Sequence, residues 1–186
     1  DLATNDTKKA EIAEQAIAAC RQSIALDSNS APPHLYLGMT IGQVADTKRN
    51  LSALKMVKEM EREFNMALEL DEHFSFAGPH RNLGLLYSQA PGWPISIGSH
   101  SKARKHLERA VELAPDSPEN RLNLMEAYLK WGDRKEAQRE IKALETLWPT
   151  ARVKLTGEEW ASNWPDWERR LERARKKIRA TAGGRN

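Results

Sequence analysis

Five histidines, one cysteine and 26 carboxylates are the side chains of this 186-residue chain best able to move protons, attack as nucleophiles or hold a metal. Their spacing does not concentrate that chemistry. His100 and His106 stand six residues apart, and no H-x-x-x-H or H-E-x-x-H pair sets two imidazoles on one helical face. No G-x-G-x-x-G or Walker sequence supplies a phosphate cradle, and no Ser, Cys or Lys sits in a recognisable nucleophile motif. One cysteine cannot form an internal disulfide or a cysteine-rich metal site. Ile17-Ala-Ala-Cys20 has the outline of a lipoprotein cleavage site, but Asp6, Lys8, Lys9, Glu11 and Glu14 precede it where an apolar stretch is required. Cys20 therefore reads as a helix core residue. The expectation is a protein that is not an enzyme, with no catalytic residue, no metal ligand and no cofactor.

Two stretches offer binding chemistry instead. Ala90-Pro91-Gly92-Trp93-Pro94-Ile95-Ser96-Ile97-Gly98 holds two prolines and two glycines beside its apolar residues, so it cannot lie inside a helix. Trp93 either anchors this loop onto its own repeat or, with Ile95, offers a contact to a ligand; anchoring is the favoured expectation. From Asp166 onward eight Lys or Arg face three Asp or Glu, a balance of +5. Those cations could meet an acidic partner, nucleic acid or anionic lipid. The favoured expectation is a solvated outer face, with cations suited to a helix C-terminus.

Such groups must be positioned by helices. Alanine (24) and leucine (20) are abundant and valine occurs four times, a bias towards helix over sheet. With 40% hydrophobic residues the chain can build a core. A net charge of +3 does not by itself call for nucleic acid, and no apolar run approaches the ~20 residues of a membrane span. The chain starts at Asp1 rather than methionine, the mark of a processed or excised chain.

The helices recur. A 34-residue unit runs from Pro118 to Ala151, with two amphipathic segments about the turn Trp131-Gly132-Asp133. Leu122, Leu124, Met125 and Leu129 mark the first segment; Ala137, Ile141 and Leu144 mark the second. Asp133 and Glu136 are spaced as a capping box, Gly132 suits a positive φ, and Pro149 is expected to end the second helix. A preceding unit, 77–115, repeats the marks at Leu83-Gly84, Tyr87, Ala103, Leu107 and Ala110, but Tyr87 to Ala103 spans 16 residues where Tyr128 to Ala137 spans nine. The surplus of seven residues (16 − 9) falls in the inserted region 88–98. An earlier unit, 31–71, carries Leu37-Gly38, Ile41, Phe64 and Ala67, with a second helix expected from about Thr47 to Leu70. Residues 8–27 read as a lone helix. Thr156 and Glu159 are expected to cap a short helix, and Pro165 to open a last one over about Asp166 to Arg179. Its stripe of Trp167, Leu171, Ala174 and Ile178 suits a cap on the last repeat, with its Arg and Lys in solvent. Residues 181–186 are expected to form a tail.

These marks resemble the tetratricopeptide repeat (TPR). The resemblance implies an all-α fold, a right-handed α-solenoid of TPR-like helix pairs making one domain over 1–186, with lengthened or inserted segments and C-terminal capping helices at 156–180. It also implies a non-catalytic adaptor or scaffold that binds a protein or peptide through the concave face lined by first helices. Carried onto this sequence, the ligand-facing positions include Leu35, Met39, Arg81, Leu85, Gln89, Leu122, Glu126 and Leu129. That face is apolar, so the extra helices bury it or it is a groove for an apolar peptide or small hydrophobic ligand. The basic clamp of chaperone-tail binders is not matched: Leu35, Met39, Glu119 and Asn123 depart from it and Asn82 agrees. The loop and following helix also resemble bacterial periplasmic TPR partners of TRAP-type transporters (TatT-like), which would imply a hydrophobic ligand, a periplasmic location and a possible homo-oligomer. Otherwise a cytoplasmic location is expected. Attachment to membrane or nucleic acid through the basic last helix is the remaining alternative; nucleic acid is not the expected partner.

Overall fold

The computed structural model describes residues 2–47 and 51–183. Nine helices are present among them: α1 (Leu2–Leu26), α2 (Ala31–Thr47), α3 (Leu51–Leu70), α4 (Phe74–Gln89), α5 (His100–Leu113), α6 (Pro118–Trp131), α7 (Arg134–Lys154), α8 (Glu158–Ala161) and α9 (Asn163–Gly183). The chain divides into two compact units, 1–106 and 107–186, with the boundary inside α5. The helix expected from about Thr47 starts at Leu51 among the described residues, Thr47 itself ending α2, and 181–183 of the expected tail belong to α9. Residues 48–50 and 184–186 lie outside the described residues.

In the first unit α2 and α3 form the tightest pair. Glycine explains the approach: a Cβ on Gly38 would lie 2.4 Å from the Phe64 ring, and one on Gly42 would lie 2.9 Å from Met60 Cε. Phe64, Leu37, Ile41, Ala67, Leu83 and Leu86 are buried in this unit. His34 on α2 is buried against Glu63 on α3, Nδ1 to Oε2 at 2.7 Å, and Arg62 supplies Glu63 with a second partner at 2.6 Å. Asp71 Oδ1 accepts from the His73 N–H at 2.9 Å, closing the turn into α4.

The start of α4 is not legible in the residue types. Ser75, Phe76 and Ala77 have φ of 54°, 58° and 56°, a left-handed turn that precedes the right-handed helix. Each costs about 1–2 kcal/mol in such a conformation, so the surroundings must hold it. Arg81 does part of this, donating to the carbonyls of Ser75 and Phe76 at 3.3 and 3.4 Å.

In the second unit α6 starts as its sequence suggests. Ser117 Oγ accepts from the Asn120 N–H at 3.3 Å and Pro118 occupies the first turn. Gly132 ends it at φ 85°. Three local expectations fail. Asp133 is the α7 N-cap residue, yet its side chain does not bond the first turn; the Arg134 N–H instead turns back to Gly132 O at 2.9 Å. Pro149 does not stop α7, which runs to Lys154. Proline forfeits one backbone bond there, while the extra turn brings Ala151 into the core. Thr156 does not cap α8; Gly157, at φ 91°, is its N-cap.

The last helix begins at Asn163, three residues before the expected start, and lies on α6 and α7. Trp164, Trp167, Leu171 and Ala174 join Leu122, Met125, Leu144 and Ala151 in one buried cluster. Trp164 meets Trp148 and Trp167 edge-on, with centroids 5.5 and 5.0 Å apart.

Candidate functional site

Repeat positions that face a ligand in TPR proteins have opposite surroundings in the two units. In the first, Met39, Leu85 and Gln89 line a cleft of about 380 Å³. Gly42 and Gln43 of α2, Val57, Met60 and Phe64 of α3, Asn82 of α4 and Pro91 of the loop complete most of its wall. Among the described residues none that lines it is charged. Asn82 Nδ2 already donates to Gly78 O at 2.8 Å, so the group it can offer a ligand is Oδ1. Gln43 and Gln89, both exposed, add amides that can donate and accept. The cleft is thus an apolar floor with neutral polar groups at its edge, suited to uncharged apolar matter with some hydrogen bonding.

Two residues expected to share this surface do not. Leu35 has no exposed surface. Its Cδ2 would lie 2.9 Å from a Cβ on Gly78, so it fills the space that glycine leaves. Arg81 is committed to the left-handed turn described above, and its charge serves backbone carbonyls.

In the second unit the equivalent face is covered by α9. Leu122 is fully buried in the cluster and Leu129 packs against it, so neither is an open contact. Glu126, expected at a ligand surface, holds Arg170 of α9: Nε to Oε1 at 3.0 Å and Nη2 to Oε2 at 2.8 Å. Arg170 also donates to Glu119 at 2.8 Å and to Asn123 Oδ1, while Trp167 Nε1 donates to Glu119 Oε2 at 2.6 Å. The Arg170 side chain is only 10% exposed, contrary to the expectation that the cations of this helix face solvent. Burial alone would lower its pKa, but hydrogen bonds and charge from Glu126 and Glu119 outweigh that and raise it. A bidentate guanidinium–carboxylate pair with further acceptors offsets its desolvation through geometry that Lys could not supply.

A second cleft, about 440 Å³, lies in this unit between α7 and α9, lined by Glu145, Trp148, Pro149, Glu168, Leu171, Glu172 and Arg175. Its carboxylates are engaged: Glu145 with Arg175 at 2.7 Å, Glu168 with Arg152, and Glu172 with Arg175 and Lys176 at 3.7 and 3.9 Å.

The histidines form one pair that spacing did not reveal. His80 of α4 and His106 of α5 approach with Nδ1 to Nδ1 at 2.9 Å, and His80 Nε2 lies 3.4 Å from Glu72. Two nitrogens that close can share only one proton. Burial first, then the charges of His80, Lys105 and Lys102, push the His106 pKa down to about 4. Tyr87 stacks beside His106 at 5.6 Å and donates its hydroxyl to Glu61 at 2.7 Å. Burial, followed by that carboxylate, raises the Tyr87 pKa. Cys20 is half-buried, and burial raises its thiol pKa away from the reactive range.

The loop residues have a different position from the favoured one. Trp93 is 88% exposed and Ile95 66%, so Trp93 does not anchor the loop; backbone hydrogen bonds do.

Comparison with known proteins agrees with this architecture. Residues 98–148 match the tetratricopeptide repeat family. The fold is similar to that of TTC0263, a thermophilic TPR protein of Thermus thermophilus, at 20% identity over 89% of this chain and 74% of that one, with a TM-score of 0.66. It is also similar to YrrB, a TPR protein with an unusual peptide-binding site, at 18% identity over 94% of this chain and 80% of that one, with a TM-score of 0.54. No curated protein matches the chain. The fold class is the all-α helical-repeat one of TPR proteins, and the repeat resemblance read from the sequence holds.

Proposed function

We propose that this protein is a non-catalytic interaction module that binds a protein or peptide segment in the cleft of its first unit. The observation that carries the reading is the cleft itself. It collects Met39, Leu85 and Gln89, residues that the repeat resemblance assigns to ligand contact, around an apolar floor. The peptide-binding site named for the similar YrrB supports the same reading. So does the use of the groups best suited to chemistry, since His34, His80 and His106 are each bonded to a structural neighbour. The described lining favours a neutral apolar segment over an acidic or basic tail, because a charge entering it would lose water and gain no counter-charge from those residues.

Selection from a displayed random-peptide library provides the test. Enriched peptides should be apolar and uncharged at their centre, and Leu85→Asp should weaken them at least ~10-fold through the cost of an unpaired buried carboxylate. Selected peptides that bind Leu85→Asp as well as the unaltered protein would refute the assignment. A small hydrophobic ligand remains the competing occupant for a cleft of this size. Release of a lipid or similar molecule from the purified protein by Leu85→Asp would establish it instead.

A further inference from the structure

Trp93 and Ile95 stand on a loop whose shape does not depend on burying them. The Gly98 N–H donates to Pro91 O at 2.8 Å, Ile95 and Ser96 N–H both reach Gly92 O at 3.0 and 3.2 Å, and the Ser99 N–H ties the exit to Tyr87 O at 3.0 Å. Gly98 makes the closure possible, since a Cβ there would lie 2.1 Å from Ala90 O. The backbone therefore holds the loop, and two large apolar side chains are left projecting from it. The surrounding sequence carries charge of one sign. Between Glu72 and Glu108 there is no Asp or Glu, whereas Lys102, Arg104 and Lys105 follow the loop as cations. Lys102 and Lys105 are exposed and three residues apart on the first two turns of α5, directly after the loop.

We propose that the Trp93–Ile95 loop is a docking surface for an anionic lipid bilayer. Trp93 and Ile95 enter the headgroup region, and Lys102 and Lys105 meet the lipid phosphates. An indole carries an apolar body and a polar N–H, the combination that settles at a membrane–water boundary. A bilayer accepts projecting side chains without a matching pocket, while the acid-free basic stretch supplies the attraction that brings the loop to a negative surface. The contact is peripheral: no helix of the described residues is long and apolar enough to cross a membrane. It is also distinct from attachment through the last helix, whose Trp167 and Leu171 are buried in the second unit.

Flotation of the full chain with phosphatidylcholine vesicles, with and without phosphatidylglycerol, tests this. The protein should float with the anionic vesicles and at least ~10-fold less with neutral ones, and added salt should release it. The paired change Trp93→Ala and Ile95→Ala should lower flotation at least ~10-fold with unchanged melting because these side chains are exposed, and Lys102→Gln with Lys105→Gln, which also removes the Lys102 contact 4.8 Å from the Tyr87 ring centroid, should lower it at least ~5-fold. Absence of flotation, or equal flotation after the Trp93 and Ile95 change, overturns the proposal. So does a sedimentation profile in which that change converts a dimer to a monomer without affecting vesicles, which would make a second copy the occupant. Loss of a cleft-selected peptide, again without a vesicle effect, would overturn it by assigning the loop to the cleft. Leu85→Asp separates the two readings: it should leave flotation intact while weakening the peptide.

Discussion

The positions that the repeat resemblance marks as ligand-facing begin from the same repeat logic in the first and second units and end differently. Around Met39 and Leu85 the surface is open and neutral. Around Leu122 and Glu126 it is closed by the chain's own α9, whose Trp167 and Leu171 supply the apolar contact and whose Arg170 answers Glu119 and Glu126. The difference lies in charge. Two carboxylates flanking an apolar patch select an occupant with a correctly placed cation, and the chain provides that occupant itself. Among the described residues the first face has no such carboxylates along its cleft. One repeat surface is covered by α9 and the other is open.

The largest effect should come from emptying the closed face. A chain ended before Asn163 loses Trp164, Trp167, Leu171 and Ala174 and uncovers Leu122, Met125 and Leu144. At ~1.5–3 kcal/mol for each large apolar side chain, the loss is comparable with the whole stability of a small domain. The second unit should fail to melt cooperatively and should aggregate. A cooperative melt at the unaltered temperature would show that α9 does not hold the unit together.

The next effect tests the charge argument. Glu126→Lys places a cation against Arg170 and removes its bidentate partner. Breaking a buried pair costs about 3–5 kcal/mol; Glu126 is partly exposed, so about 2–3 kcal/mol is expected here. Sequence reasoning assigned Glu126 to a binding surface, where charge reversal would leave folding intact. A large fall in denaturant midpoint supports the clamp; an unchanged midpoint returns Glu126 to the surface. Arg170→Lys should recover only part of the stability that Arg170→Ala loses, since an ammonium cannot span Glu119, Asn123 and Glu126 together.

A smaller effect belongs to the open unit and depends on pH. His106 keeps its proton off until about pH 4 in the folded chain, whereas unfolded histidine takes one near 6.5. Above 6.5 both states are neutral there and the stabilisation is fully present. As pH falls from 6.5 to 4 the unfolded state gains the proton first, stability declines, and below 4 this contribution is flat. The groups around the ring are His80, Lys102 and Lys105, with Glu72 beyond His80 and Glu61 beyond Tyr87. His106→Gln should flatten the melting temperature between pH 6.5 and 4 relative to the unaltered chain. An identical slope in both would mean that the histidine pair does not govern it.

What could be read from the sequence follows a physical boundary. Ala103, Leu107, Ala110, Ala137 and Leu144 were legible because repeat spacing places them on packed helix faces, and all are buried. The stripe on α9 was legible from its helical period. Arg170 was not, because it is one of eight C-terminal cations and its carboxylates lie 44 and 51 residues away. The left-handed turn at Ser75–Ala77 gives no local sign, since none of its residues is glycine; it is imposed by its surroundings. The His80–His106 pair joins two helices across the insertion, beyond the reach of any short motif. Pro149 misled because proline penalises a helix interior without forbidding it when the next turn gains a buried contact. For Arg170 and the histidine pair, a contact between separated segments decided what no local rule could.

The smallest expected change in stability is the sharpest test of the comparison. Met39 is exposed and Leu85 only half-buried, so Met39→Ser and Leu85→Ser remove little packing. Each should shift stability by at most ~1 kcal/mol, well below the roughly 2–5 kcal/mol typical of truncating a buried leucine. Leu122→Ser, at the equivalent face of the second unit, removes a fully buried side chain and buries a hydroxyl in its place, so it should cost several times more. The contrast must reverse for binding: Met39→Ser and Leu85→Ser should weaken a cleft-selected peptide while Leu122→Ser, measured where the chain remains folded, leaves its affinity unchanged. Equal stability losses at Leu85 and Leu122 would mean that the first face is as closed in solution as the second. A peptide insensitive to Leu85 but sensitive to Leu122 would mean that α9 moves aside, making the covered face the working one.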